Sequence, residues 1–201
     1  MYVAAPDRAG EARARDIVAA ASIGTLFSAA GGLDATTLPV LWDGDLVIAH
    51  LARANRHWRA LDGADVLLVV TGPDAYVSPS WYPSKDEHGR AVPTWNYSEV
   101  HIRGTARILD DPAATRGIVE RLTRRHEASR PAPWSVDDAP AGYIEQQLKA
   151  IVGVQIAVRE VTAKQKWSRG RAARDIDGVQ SALDGVAPAA AEEMRRTRAD
   201  M

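Results

Sequence analysis

The chain contains no cysteine, which removes disulfides, thiolate catalysis and cysteine-ligated metal sites together. No apolar run approaches the ~20 residues that a membrane-spanning helix needs. The N-terminus also lacks a charged-then-apolar signal pattern. The expectation is a soluble, cytoplasmic protein with no membrane partner. An excess of one charge is missing too: 25 basic and 26 acidic residues leave a net charge of −1. Nucleic-acid binding usually shows as a basic excess on one face, so this balance gives no such footprint. Lysine is scarce, four residues against 21 arginines. Arginine favours planar, bidentate contacts with carboxylate or phosphate, which makes Lys85, Lys164 and Lys166 worth locating.

Familiar catalytic signatures are equally absent. The five histidines (His50, His57, His88, His101 and His126) show no metal-ligand spacing. Ser78, Ser80 and Ser84 lack a Gly-x-Ser-x-Gly elbow, and no acid–base partner is implied by chain order. There is no Gly-x-Gly-x-x-Gly and no Walker loop. No catalytic residue and no metal ligand is assigned.

What is present is concentrated. Between Tyr76 and Tyr97 lie five of the twelve aromatics: Tyr76, Trp81, Tyr82, Trp95 and Tyr97. Pro79, Pro83 and Pro93 share that span and exclude a helix interior. Large rings on a proline-set backbone, beside hydroxyls and a lysine, suit a flat, partly anionic ligand or a partner subunit. They equally suit a packed loop over a β core.

At 201 residues the chain fits one domain, able to bury roughly 70% of its unfolded surface. An N-terminal helix is expected over Arg8 to Ala21 with Asp7 as cap. Strands follow at 22–30, at 33–42 and, after the Asp43-Gly44 hairpin signal, at 45–50. Asn55 can cap a short helix through Leu61. Asp65 to Thr71 reads as a buried strand and Thr94 to Leu109 as a long bent one. Pro112 opens a helix to about Glu127, Ala139 to Ala150 another, and Ile151 to Val161 forms the last strand. From Arg169 onward charge density rises, and Ala187 to Asp200 reads as a peripheral helix or frayed tail. The fold class is mainly β with flanking helices (α+β), with residues 1–185 as a single domain and 186–201 peripheral to it.

Two constellations carry possible chemistry. In His50-Leu-Ala-Arg-Ala-Asn-Arg-His-Trp58 a strand end meets a helix start, where free N–H groups, Arg53 and Asn55 can receive a phosphate. Alternatively Asn55 only caps and Arg53 is a surface residue. Lys164-Gln-Lys-Trp-Ser168, with Arg169 and Arg171, can bring cations to a carbonyl edge or phosphate, or can form a solvated surface.

Taken together, these segments resemble the PaiB-type proteins, described as FMN-binding negative transcriptional regulators of the flavin-binding split-barrel superfamily. The resemblance runs from Met1-Tyr2 to about Gly185. It is carried by His50-Leu-Ala-Arg-Ala-Asn55, Tyr76-Val-Ser-Pro-Ser-Trp-Tyr-Pro-Ser-Lys85, Val92-Pro-Thr-Trp-Asn-Tyr97, Leu122-Thr with His126-Glu127, and Ala150-Ile-Val-Gly153. It implies a six-stranded Greek-key split β-barrel, a homodimer, and FMN in grooves between the subunits. By the same resemblance, Thr36, Thr37 and Leu38 offer strand-edge groups to the pyrimidine edge. His50, Arg53, Asn55 and Trp58 bracket the phosphate. Ser78, Ser80, Trp81, Lys85, Thr94, Trp95 and Asn96 line the ring, and Ser168 and Arg171 match a cofactor-proximal segment of related flavin oxidases. Four features depart from the family pattern: Thr37 for histidine, Arg56 for proline, Gln165 for tryptophan, and Arg169-Gly170 for Gln-Asn.

Three functions are compatible with this resemblance. The first is a flavin-binding regulator, for which the family label allows DNA as a partner although neither charge nor a helix-turn-helix pattern supports it. The second is a flavin-dependent oxidoreductase acting on a small molecule. The third is a haem-binding split barrel with His50 or His57 as axial ligand.

Overall fold

A computed structural model describes residues 1–199; Asp200, the last position of the expected C-terminal helix, and Met201 lie outside the described residues. Seven strands form: β1 (Arg8–Ala9), β2 (Ile23–Ser28), β3 (Asp34–Asp43), β4 (Leu46–Ala52), β5 (Asp65–Val77), β6 (Thr94–Leu109) and β7 (Ile151–Lys166). Their order is β1-β7-β4-β3-β2-β5-β6, and β6 pairs back onto β7. Setting aside the two-residue β1, the other six close a circuit, as a split barrel requires. The pairs β2–β3, β3–β4, β2–β5 and β4–β7 are antiparallel. Closure depends on a close approach at Gly104: a Cβ there would sit 2.2 Å from the Ala157 carbonyl oxygen. Only glycine lets β6 and β7 meet so tightly.

The chain divides into two compact units, neither contiguous in sequence. One comprises Val18–Val70 and His101–Val161; the other comprises Met1–Ile17, Thr71–Val100 and Thr162 onward. Strands β5, β6 and β7 each contribute residues to both.

In the first of these units α3 (Pro112–Glu127) starts as its sequence dictates. Asp111 Oδ2 accepts from Ala114 N at 2.7 Å, and Pro112 takes a first-turn position where no N–H is needed. Its apolar stripe, Ile118 and Leu122, packs on Ile48 of β4 with Leu41 and Leu109 beside it. The expected helix at 139–150 is shorter, α4 (Ala141–Leu148), preceded by a 3-10 turn at Val136–Asp138. Ile144 and Leu148 bury against Val136 and Val119.

The N-terminal helix α1 (Glu11–Ala21) begins three residues later than expected, because Arg8 and Ala9 pair with Lys164 and Ala163. Asp7 therefore ends a 3-10 turn and caps nothing. Strand β7 continues to Lys166, beyond the expected Val161. The short α2 (Lys85–His88) follows the aromatic turn. The charge-dense C-terminal region folds as two helices, α5 (Ala173–Val186) and α6 (Pro188–Ala199). Ile176, Val179, Leu183, Ala190, Ala191 and Met194 bury with Tyr82 and Trp167 in one cluster. The described part of the expected peripheral tail is thus core-forming: a helical apolar stripe was masked by the arginines and acids between its members.

Candidate functional site

The barrel unit gathers the first group of expected residues around the chain leaving β4. Asn55 Oδ1 accepts from His57 N at 3.0 Å, capping a 3-10 turn at Arg56–Ala60. Asn55 Nδ2 donates to Thr36 Oγ1 at 3.0 Å. Trp58 Nε1 donates to the Arg53 carbonyl at 3.0 Å, and the guanidiniums of Arg53 and Arg59 each lie 5.7 Å from its ring centroid. Thr37 Oγ1 is 2.9 Å from Thr25 Oγ1 across the β2–β3 pair, while Leu38 is buried. From Thr36 to Pro39, β3 pairs with β2, whereas its register with β4 ends at Val40. Among the described residues no strand pairs with β3 along that outer edge.

Arg53 is not arranged as a free phosphate clasp. Its Nε donates to the Lys149 carbonyl at 3.0 Å, and Nη2 reaches the Ile151 carbonyl at 3.3 Å and the Asp110 carboxylate. The hydrogen bond from Arg53 holds the Asp110 carboxyl below the usual carboxylate range. The side chain clamps the start of β7 and leaves the exposed cations of this loop to Arg56 and Arg59. His50 is placed by β4 opposite Gly153. Its Nδ1 is buried without a hydrogen-bond partner, and burial pushes its pKa down, which favours the neutral ring.

The second group lies in the other unit, where alternation along β6 turns Trp95 and Tyr97 outward and Asn96 and Ser98 inward. Trp95 is 54% exposed and Tyr76 48%; their rings meet edge to face at 6.1 Å. Lys166 Nζ donates to Thr94 Oγ1 at 2.6 Å, and Lys164 Nζ lies 5.1 Å from the Tyr97 ring centroid. Asn96 Nδ2 donates to Ser168 Oγ at 3.2 Å. Ser168 holds φ at 61°, a left-handed conformation that is costly for a side-chain-bearing residue. The Arg171 guanidinium sits 4.0 Å over the ring of buried Tyr82. Burial raises the Tyr82 pKa, and the Arg171 cation opposes that rise.

Ser78 and Ser80 turn toward one another at 2.7 Å, and Ser78 also caps the 3-10 turn at Pro79–Trp81. Trp81 is half-buried, and Lys85 is exposed at the start of α2. The turn is clipped to α5: Asp175 accepts from Ser84 N at 3.1 Å and Ser84 Oγ at 2.8 Å. Gln165 faces inward, donating to Thr197 at 2.9 Å and Glu193 at 3.3 Å. Glu193 is also met by Ser98 Oγ at 2.6 Å and Arg13 Nη2 at 2.7 Å. Gln165 is therefore part of a buried network that holds α6, and Trp167 joins it through Ser98.

Sequence reasoning assigns no role to Ser28, Asp175 or Glu193, whose partners are distant in the chain. Lys166 had a signal, since lysines are few. Of the two histidines weighed for iron, His57 has both ring nitrogens within hydrogen-bond distance of hydroxyls, so it has no free lone pair to offer. Among the described residues no group of three or more histidines and acids is placed to hold a metal. No helix among them is long and apolar enough to cross a membrane.

Residues 1–160 match the model of the family described as "Putative FMN-binding domain". The chain is 32% identical over 188 residues to the protease synthase and sporulation protein PAI 2 of Bacillus subtilis, covering 89% of this chain and 86% of that one. It is 37% identical over 131 residues to an uncharacterised protein of Aspergillus fumigatus, covering 57% of this chain and half of that protein's length. Among solved structures it resembles the FAD and haem binding protein from Mycobacterium smegmatis, with a TM-score of 0.60 at 20% identity over 78% of this chain and 71% of that one. It also resembles a conserved hypothetical protein of Mycobacterium tuberculosis, with a TM-score of 0.61 at 17% identity over 86% and 94% of the two chains. At these identities the two structural likenesses speak of fold.

Proposed function

Because the chain belongs to the PaiB-type family of FMN-binding split barrels, whose cofactor is FMN, we propose that it is a homodimeric flavin-holding regulatory protein with FMN along the subunit interface. The observation that carries this reading is the half-exposed Tyr76–Trp95 pair, whose Trp95 sits on β6 between Thr94, which meets Lys166, and Asn96, which meets Ser168. A flavin presents a flat apolar ring, a polar edge and a phosphate. The residues fit those needs: exposed indole and phenol faces suit the ring, Lys166 and Arg171 suit electron-rich atoms, and the open edge of Thr36–Pro39 suits the pyrimidine. The exposed Arg56 and Arg59 guanidiniums suit a phosphate better than Arg53, which is already committed. When bound, FMN supplies one- and two-electron redox chemistry. The chain's own contribution is to bind it, orient it and set its electrostatic surroundings.

A spectrum of the pure protein before and after adding FMN, taken with its mass in solution, tests the reading. Flavin bands and a dimer mass support it. Protein that takes up no FMN overturns the cofactor site, and a monomer mass overturns the interface. The regulatory effect is expected to be indirect, since the net charge is −1; tight, sequence-selective binding in a mobility-shift assay would contradict this.

A second reading, an oxidoreductase, is favoured by the cations Lys164, beside the Tyr97 ring, and Lys166, bonded to Thr94, which suit a reduced, anionic flavin. Anaerobic reduction of the loaded protein by NADH or NADPH supports it. Inertness toward both leaves the regulatory reading in place.

A further inference from the structure

We infer that His57 is a positioning residue for the cofactor, fixing Thr36 and Asn55 without itself touching the ligand. The inference rests on the flavin reading proposed above for the Thr36–Pro39 edge and for Arg56 and Arg59. The imidazole is 2% exposed, so no ligand reaches it. Nε2 lies 2.9 Å from Ser28 Oγ and Nδ1 lies 2.9 Å from Thr36 Oγ1. Thr36 Oγ1 accepts from Asn55 Nδ2 at 3.0 Å, and Asn55 Oδ1 accepts from the His57 backbone N–H at 3.0 Å. The contacts form a closed ring, His57 to Thr36 to Asn55 and back to His57, anchored to β2 through Ser28.

Such a ring has two consequences. Thr36 belongs to the stretch of β3 whose outer edge β4 leaves open. Asn55 holds the 3-10 turn from which Arg56 and Arg59 reach solvent. One imidazole thus sets both the strand edge and the cationic turn. A neutral ring has one donor and one acceptor, which two hydroxyls can satisfy at once. An apolar filler would serve stability nearly as well, since replacing matched polar groups by apolar ones can be close to neutral. What a polar ring adds is fixed rotamers at Thr36 and Asn55.

The test compares wild type, His57→Leu, Ser28→Ala and Leu122→Ala, the last a core change in α3 remote from the ring of contacts. FMN affinity is read by flavin fluorescence titration, and melting temperature is read beside it. His57→Leu is expected to weaken FMN by about tenfold, the scale of one well-placed hydrogen bond. Ser28→Ala, a milder change that keeps the imidazole, is expected to weaken it by about threefold. Leu122→Ala should lower the melting temperature and leave affinity unchanged. Should His57→Leu fail to fold, Ser28→Ala decides. Unchanged affinity in the folded variants overturns the inference, as does a loss that follows melting temperature equally in Leu122→Ala. If wild type itself takes up no FMN, the flavin reading fails and this inference with it, whereas uptake by wild type with no effect of the variants removes the inference alone.

Discussion

At His50 a ring nitrogen is enclosed by protein and meets no partner. Enclosure disfavours the imidazolium, so the folded-state pKa is depressed below the ordinary value of 6.5. The unfolded chain therefore binds more protons than the folded one once pH falls below about 6.5. Stability is fully present above that pH and declines as pH drops toward the folded-state pKa. Replacing His50 by Gln removes the titration. The melting temperature of His50→Gln relative to wild type should therefore rise between about pH 8 and about pH 5.5. A constant difference across that range would show that the ring titrates alike in both states. Asp175 shifts in the same direction, downward, but in an acid, where a lowered pKa favours the charged form. Burial alone would raise it, but hydrogen bonds from Ser84 and the nearby Arg171 and Arg174 outweigh this and lower its pKa. Its contribution is present above about pH 3.9 and is lost as pH falls through the folded-state pKa. Asp175→Ala leaves the Ser84 N–H and hydroxyl buried and unpaired, a loss of roughly 1–3 kcal/mol, measurable by urea denaturation at neutral pH.

The docking of α5 on the aromatic turn depends on one absent side chain. A Cβ at Gly178 would lie 2.2 Å from the Trp81 carbonyl oxygen and 3.0 Å from Pro83. Gly178→Ala gains about 1 kcal/mol of helix propensity, yet forcing helix from turn costs about 1–3 kcal/mol, so the variant should be less stable. Gly185, on the same helix with nothing within 4 Å, provides the contrast: Gly185→Ala should gain roughly 0.5–1 kcal/mol. If both substitutions stabilise equally, the turn yields freely and the clip is not tight. Elements such as these separate what the chain discloses from what it conceals. The limits of β6 at Thr94 and Leu109, the start of α3 at Pro112 and the Asn55 cap were readable, because each depends on residues within a few positions. Helix α5 carried its signal, Ile176, Val179 and Leu183 at helical spacing, but among the charged residues it passed unread. Asp175 with Ser84, Glu193 with Ser98 and His57 with Ser28 had no local signature, since their partners stand 91, 95 and 29 residues away. Arg53 was visible as a cation, but its commitment to carbonyls at 149 and 151 depends on where β7 starts in space.

For the whole molecule, the question is whether two compact units mean two folding events. Strand β5 gives Asp65–Val70 to one unit and Thr71–Val77 to the other. β6 divides between Val100 and His101, and β7 between Val161 and Thr162. Each strand is a continuous hydrogen-bonded element, so melting one half frays the ladder of the other. Domain boundaries normally fall in flexible linkers that few contacts cross, whereas these fall inside three strands. We propose that the described chain unfolds as one cooperative domain, α6 included. Met194 is buried in the core of α5 and α6, and Leu122 in the core of α3. Met194→Ala and Leu122→Ala should each cost about 2–5 kcal/mol. Each should move one and the same calorimetric transition, with calorimetric and van't Hoff enthalpies equal. Near-ultraviolet dichroism, dominated by buried Trp167 and Tyr82 of one unit, should melt together with the far-ultraviolet signal of the whole sheet. Two transitions, one moved only by Met194→Ala and the other only by Leu122→Ala, would mean that the strands break at the unit boundary.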